Sequence, residues 1–171
     1  MLVDGSCGKI NRNNIYGNLK SNIAHGRAEN FDISIKENNI FKGRCEGIFI
    51  LDGGTSKISK NVIYENTDGV VLVNSTPVVS KNNIYANRRA GVIAAGSSEP
   101  CIIENEVHKN GAVGINFRNK SSGEILRNSA HSNPIQVSIT TEAHMNTKEI
   151  ESENDIRGEV QMPLVNICSL L

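Results

Sequence analysis

The chain has 171 residues, of which 21% are charged, 4% are aromatic and none is tryptophan; its 18 basic and 18 acidic side chains cancel to a formal net charge of zero. A neutral surface lacks the broad positive field that nucleic acid or an anionic membrane requires, so neither is an expected partner. No apolar run reaches the roughly 18 residues of a spanning helix, and the start, Met1-Leu2-Val3-Asp4-Gly5, lacks the charged and apolar regions of a signal peptide. An intracellular, cytoplasmic setting is expected.

Along the chain one phrase recurs. It reads Asn13-Asn14-Ile15-Tyr16-Gly17-Asn18, then Asn38-Asn39-Ile40-Phe41-Lys42-Gly43, Asn61-Val62-Ile63-Tyr64-Glu65-Asn66 and Asn82-Asn83-Ile84-Tyr85-Ala86-Asn87. Weaker copies lead with Asn105 and Asn128, and a degenerate one is Asn154-Asp155-Ile156-Arg157-Gly158. A repeat of this length marks a solenoid. Three apolar columns keep phase with it. One precedes the Asn (Ile10, Ile35, Ile58, Val79, Ile102, Ile125). One follows it (Ile15, Ile40, Ile63, Ile84, Val107, Ala130, Ile156). One comes after a glycine, as in Gly69-Val70-Val71-Leu72. Short β-branched runs bounded by Gly, Asn, Ser or Pro are strands, and three of them leave no room for a helix in the repeat. The expected fold is all-β: a right-handed single-stranded parallel β-helix of about seven coils of about 23 residues, stacked at about 4.8 Å. Stacking puts like residues above like, so the Asn columns are expected to form amide ladders.

The chain opens abruptly within a coil, so it is expected to be the C-terminal piece, or a short product, of a longer protein. Residues 1–139 read as coils. Residues 140–171 read as an irregular loop over 140–149, a last partial coil, and an apolar tail that closes the rod.

Candidate chemistry is sparse. Asn66-Thr67-Asp68-Gly69 matches a phrase of polygalacturonases, but glycoside hydrolysis needs paired carboxylates. The other motifs of that family are missing, and the repeat itself accounts for Asn66 and Gly69, so no catalytic residue is assigned. The five aspartates, Asp4, Asp32, Asp52, Asp68 and Asp155, share no column, although Asp52 and Asp68 fall on neighbouring coils. His108 and His131 lie one coil apart with no third ligand in view. No metal and no cofactor is expected.

One column is aromatic: Tyr16, Phe41, Tyr64 and Tyr85, continued by His108 and His131. It is the candidate recognition surface, suited to a protein target or to sugar rings. Beside it a column of mixed charge, Arg12, Glu37, Lys60, Lys81, Glu104 and Arg127, reads as the solvated face of a strand. The four cysteines, Cys7, Cys45, Cys101 and Cys168, have no metal spacing and read as free buried thiols. The sequons at Asn74 and Asn119 read as unused. The last four residues, Cys168-Ser169-Leu170-Leu171, fit a prenylation box, which makes Cys168 the candidate lipidation site and a route to weak membrane attachment.

The wording Asn-Asn-Ile-Tyr-x-Asn, followed by a Gly-Val run such as Gly69-Val70-Val71-Leu72-Val73-Asn74, resembles the parallel β-helix repeats of the carbohydrate-binding and sugar-hydrolase type over residues 10–135. Two branches use it: periplasmic nitrous-oxide-reductase maturation factors, and F-box only proteins of the type of members 10 and 11, one of which also ends in a prenylation-type Cys box. The second resemblance implies a non-enzymatic module that recognises the protein substrate of a ubiquitin ligase. The F-box itself is missing from these residues. A polysaccharide-binding or polysaccharide-active β-helix is the alternative.

Overall fold

The computed structural model describes residues 2–4, 8–26 and 33–162. Its strands stack coil on coil into three parallel sheets. Sheet A runs through Leu2–Asp4, Ile23–Gly26, Glu46–Leu51, Asp68–Val73, Ala90–Ala95, Val113–Phe117, Ile135–Ile139 and Val160–Gln161. Sheet B contains Gly8–Asn11, Ile33–Lys36, Lys57–Ser59, Val78–Ser80, Cys101–Ile103 and Glu124–Leu126. Sheet C contains Asn14–Tyr16, Asn39–Phe41, Val62–Tyr64, Asn83–Tyr85, Glu106–His108, Ser129–His131 and Asp155–Arg157. The parallel β-helix expected from the repeat is the fold observed.

Register follows the repeat. Ile35 pairs with Ile58, Ile58 with Val79, and Ile63 with Ile84. These inward columns, with Ile48, Ile50, Leu72 and Phe117 from sheet A, are fully buried and form one continuous core. Burying each such side chain contributes roughly 1.5–3 kcal/mol. A strand of three residues points only its middle side chain inward, so the three-residue strands of sheets B and C each supply one core residue, while Ile33–Lys36 of sheet B supplies both Ile33 and Ile35 and the longer strands of sheet A supply two.

The first asparagine column is a ladder. Asn61 donates its backbone N–H and its Nδ2 to Asn82 Oδ1, at 2.9 and 3.0 Å, and its other amide hydrogen to Ile35 O at 2.9 Å. The same bonds recur from Asn38 to Asn128, which closes on Asn154. All polar capacity of a buried amide is thereby used. The second column, Asn66, Asn87, Asn110 and Asn133, repeats the arrangement at the next corner.

At the corners of the first ladder the left-handed residues are not the ladder asparagines but their predecessors. Arg12, Glu37, Lys60, Lys81, Glu104 and Arg127 have φ between 53° and 57°. The charged column thus belongs to a turn, not to a strand face. A fixed turn with its side chain directed to solvent tolerates any polar residue that accepts the backbone strain, and neighbours pair along the axis. Arg12 meets Glu37 at 2.8 Å, and Glu104 sits between Lys81 and Arg127 at 3.3 and 3.2 Å. Hydrogen bonds from Arg12, and from Lys81 and then Arg127, hold the Glu37 and Glu104 carboxyls below their ordinary value.

Thr147–Glu153, which starts inside the stretch 140–149 read as an irregular loop and runs past it, is a short helix capped by Asn146. Its one buried residue, Ile150, enters the core where the next strand of sheet B would place its isoleucine. One apolar residue carries no periodicity, so only the start of the helix is written in the sequence, as Asn146 with Glu149 three residues on. No helix among the described residues is long and apolar enough to cross a membrane.

Candidate functional site

A three-residue strand presents two side chains outward, so the outer face of sheet C is two columns wide. One column is aromatic. Tyr16, Phe41, Tyr64, Tyr85, His108 and His131 stack face to face with ring centroids 4.9–5.2 Å apart and planes within 3–14°. The spacing is set by the coil repeat, and offset stacking adds about 0.5–1.5 kcal/mol per pair beyond burial. All six candidate recognition residues therefore lie on one face, in contact. Each inner ring has both faces covered and presents its edge to solvent. Tyr16, 60% exposed, keeps one open face. Arg157 follows His131 in register.

The companion column is polar except at Val62. Asn39 donates to Asn14 Oδ1 at 2.8 Å, and Ser129 donates to Asp155 Oδ2 at 3.3 Å. Asn83 Oδ1 lies 3.0 Å from His108 Nε2, which places the imidazole proton on Nε2. His108 Nδ1 is buried with no partner. Burial holds His108 below its ordinary value; His131 and Lys109 act in the same direction, and Glu106 opposes them. His131 Nε2 faces Glu106 Oε1 at 3.5 Å, and its Nδ1 lies 3.1 Å from Ser132 Oγ. Among the described residues no three His, Cys, Asp or Glu side chains converge as metal ligands.

Asp68 is 1% exposed. Its carboxylate accepts from Ala90 N at 3.1 Å and pairs with Arg89. Thr67 donates its hydroxyl to Arg44 O at 2.7 Å. The whole phrase Asn66-Thr67-Asp68-Gly69 is used in joining coils. Asp52 stands at the far end of the preceding sheet A strand, beside Asn74, so Asp52 and Asp68 do not face each other. Cys45 and Cys101 are free and half-buried, less enclosed than the sequence suggests. Cys7 and the candidate lipidation site Cys168 lie outside the described residues. Asn74 and Asn119 occupy left-handed turns, and Asn74 Oδ1 accepts from Ser97 N at 3.1 Å.

Sequence reasoning missed the outer face of sheet A. There Val71, Ala90, Ile93, Ala95 and Val113 form a second apolar cluster with Phe49, Val73 and Ile135. Alternation within the six-residue strands carried the signal, since both parities of Val70-Val71-Leu72-Val73 are apolar. A hollow of about 230 Å³ beside it is lined by Asp68, Arg89, Asn116 and Arg118.

Neither a curated protein nor a solved structure shows a significant match to the chain. The family description "right handed beta helix region" matches residues 1–156, and the chain belongs to that family.

Proposed function

From this membership in the right-handed β-helix family, we propose that the chain is a non-enzymatic protein-interaction module that reads its target with the outer face of sheet C. The observation that carries the reading is the closed ring stack. A sugar ring packs its C–H face flat against an open aromatic face, and the inner rings have none to offer. Their edges, the phenol hydroxyls of Tyr64 and Tyr85 and the imidazole edges of His108 and His131 suit the mixed apolar and hydrogen-bonding contacts of a protein interface. The rod is held by ladders on every coil, so little order is lost on binding. The proposed target class rests on the resemblance of the repeat wording to F-box only proteins: a substrate of a ubiquitin ligase, presented in the cytoplasm by an F-box-type subunit, with Cys168 as a lipidation site giving weak membrane attachment.

The polysaccharide reading needs acids and aromatics in register along a groove. The hollow on sheet A holds one acid, Asp68, already engaged by Arg89 and Ala90.

The test compares the wild-type chain with the double variant Tyr64→Phe and Tyr85→Phe, which keeps the ring stack and removes only the hydroxyls. Both are used to capture proteins from cell extract and to probe arrays of uronic-acid and neutral glycans. The proposal expects a protein held by the wild type and released by the variant, with no glycan retained. Glycan binding that competes with the captured protein overturns it.

A further inference from the structure

Asn110–Gly111 is the one Asn–Gly step in the sequence, and the fold requires both residues for separate reasons. Asn110 is a rung of the second ladder, 2% exposed. Its Oδ1 accepts from Asn87 N and Nδ2 at 3.1 and 3.0 Å, and its Nδ2 donates to Asn133 Oδ1 and Ile84 O at 3.0 and 3.2 Å. Gly111 lies against the coil before it: a Cβ there would stand 2.2 Å from Arg88 O, a backbone atom that cannot yield. The ladder and the close approach together force a dipeptide whose chemistry is a liability, because glycine leaves its own backbone nitrogen unhindered.

We propose that Asn110 is a latent deamidation site, held shut by the ladder and converted irreversibly when this coil opens. The Gly111 backbone nitrogen loses its proton to solvent and attacks Asn110 Cγ. The new C–N bond closes a five-membered imide as Nδ2 leaves, taking a proton from water to depart as ammonia. A second water then opens the ring at either carbonyl, giving aspartate or its β-linked isomer, with no oxidant or reductant involved.

The folded coil blocks the first step three times over. Gly111 N–H is donated to Asn87 O at 2.9 Å, so its nitrogen is directed away from Cγ. Both hydrogens of the leaving amide are engaged, and its oxygen is fixed by two donors. After conversion the block acts in reverse. A carboxylate only accepts, so it would face Asn133 Oδ1, another acceptor, and would bury a charge among amides built for neutral partners. The β-linked isomer also lengthens the main chain just before the sheet A strand Val113–Phe117, where pairing with Ala90–Ala95 fixes the register. A converted coil cannot close again, and the chain carries a permanent record of having opened.

The full chain is incubated at mildly alkaline pH, folded and in urea, and conversion at Asn110 is read by peptide mapping. The exposed step Asn119–Lys120 serves as internal reference. Expected are conversion at Asn110 slower than at Asn119 in the folded chain and faster than at Asn119 in urea. Equal rates at Asn110 in the two states overturn the protection. The converted fraction is then returned to native buffer, where it is expected to fail to regain the folding midpoint of unconverted chains in the same tube. Recovery of that midpoint overturns the one-way character. Neither readout depends on what the sheet C face binds.

Discussion

Asn22 and Gly43 have exchanged roles. In the regular coils a glycine is the second residue of the sheet A strand, and the ladder asparagine of the next coil fills the space where its Cβ would be: a Cβ on Gly47 would lie 2.9 Å from Asn66 Nδ2. In the first coil the glycine position is Asn22, paired in the register of Ile23 with Ile48, and the ladder position of the second coil is Gly43. Asn22 reaches across and serves as the missing rung, accepting from Asn18 Nδ2 at 2.8 Å and donating to Asn66 Oδ1 at 2.9 Å. The same exchange recurs at the other end. Gln136 holds the glycine position after Gly114, the ladder position of the last coil is the exposed Glu159, and Asn133 donates to Gln136 Oε1 at 2.9 Å.

A double-mutant cycle measures this exchange. Asn22→Gly alone is expected to cost about 2–3 kcal/mol, because Asn18 and Asn66 lose a buried partner. Gly43→Asn alone is expected to be destabilising too, since its Cβ meets Asn22 Nδ2 at 2.8 Å. The pair together restores the ordinary glycine–asparagine arrangement and is expected to recover most of the loss, read as a favourable coupling in urea unfolding. Additive losses would show that the two sites are independent.

Interior and terminal rungs differ in value. Asn105→Ala removes the acceptor of Asn82 N and Nδ2 and the donor to Val79 O, and about 3 kcal/mol of destabilisation is expected. Asn13 sits at an exposed end of the same column, and Asn13→Ala is expected to cost less than about 1 kcal/mol. Thermal unfolding of the two variants side by side checks the gradient.

Gly91→Ala tests how closely the coils approach. The added Cβ would lie 2.5 Å from Val107 Cγ1 and 2.6 Å from Gly114 O. A backbone oxygen in a ladder does not move aside, so a loss of about 3 kcal/mol is expected, at the upper end of overpacking costs. Gly8→Ala, with open space around it, is expected to change stability little. A wild-type midpoint for Gly91→Ala in urea would refute the close approach.

His108 gives stability a pH dependence of known sign. Its folded-state value lies below the ordinary 6.5, so between those two values the unfolded chain binds the proton more readily than the folded one. The contribution is whole above about pH 6.5 and falls as pH drops through that window. His108→Tyr keeps a ring in the stack and removes the titration. The stability difference between wild type and variant is expected to shift against the wild type from about pH 7.5 to about pH 5.5. A constant difference over that range would refute the assignment.

Much of this was legible because the repeat writes each coil in the same words. The isoleucine columns, the ladders and the ring stack all follow from one period and the rule that like lies on like. Compensations that break the period were hidden. Asn22 and Gln136 look like spacer residues until Gly43 and Glu159 are seen to lack the amide. Left-handed geometry at Arg12 or Lys81 was hidden as well, since a charged residue there is chosen for solvent rather than for its φ. The sheet C face was readable as a set of side chains. That its rings spend their faces on one another was not readable there, because sequence spacing places neighbours without fixing the planes.

The ladders also give the rod a direction. Every interior rung of the first ladder passes its backbone N–H and one amide hydrogen to the coil that follows, gives its other amide hydrogen to a backbone carbonyl of the coil before, and accepts two bonds from the rung of that coil. A cut that removes later coils strands amide hydrogens and a backbone N–H inside the new last turn. A cut that removes earlier coils leaves the amide oxygen, which water satisfies readily, and one amide hydrogen whose carbonyl acceptor, Ile35 O in the case of Asn61, goes with the lost coil. The two ends are thus chemically unlike, as are the ends of a growing filament, and erosion from the C-terminal side is the costlier. A chain made from its N-terminus meets each need in turn, because the carbonyl acceptor is already in place and the amide acceptor is the next to be built.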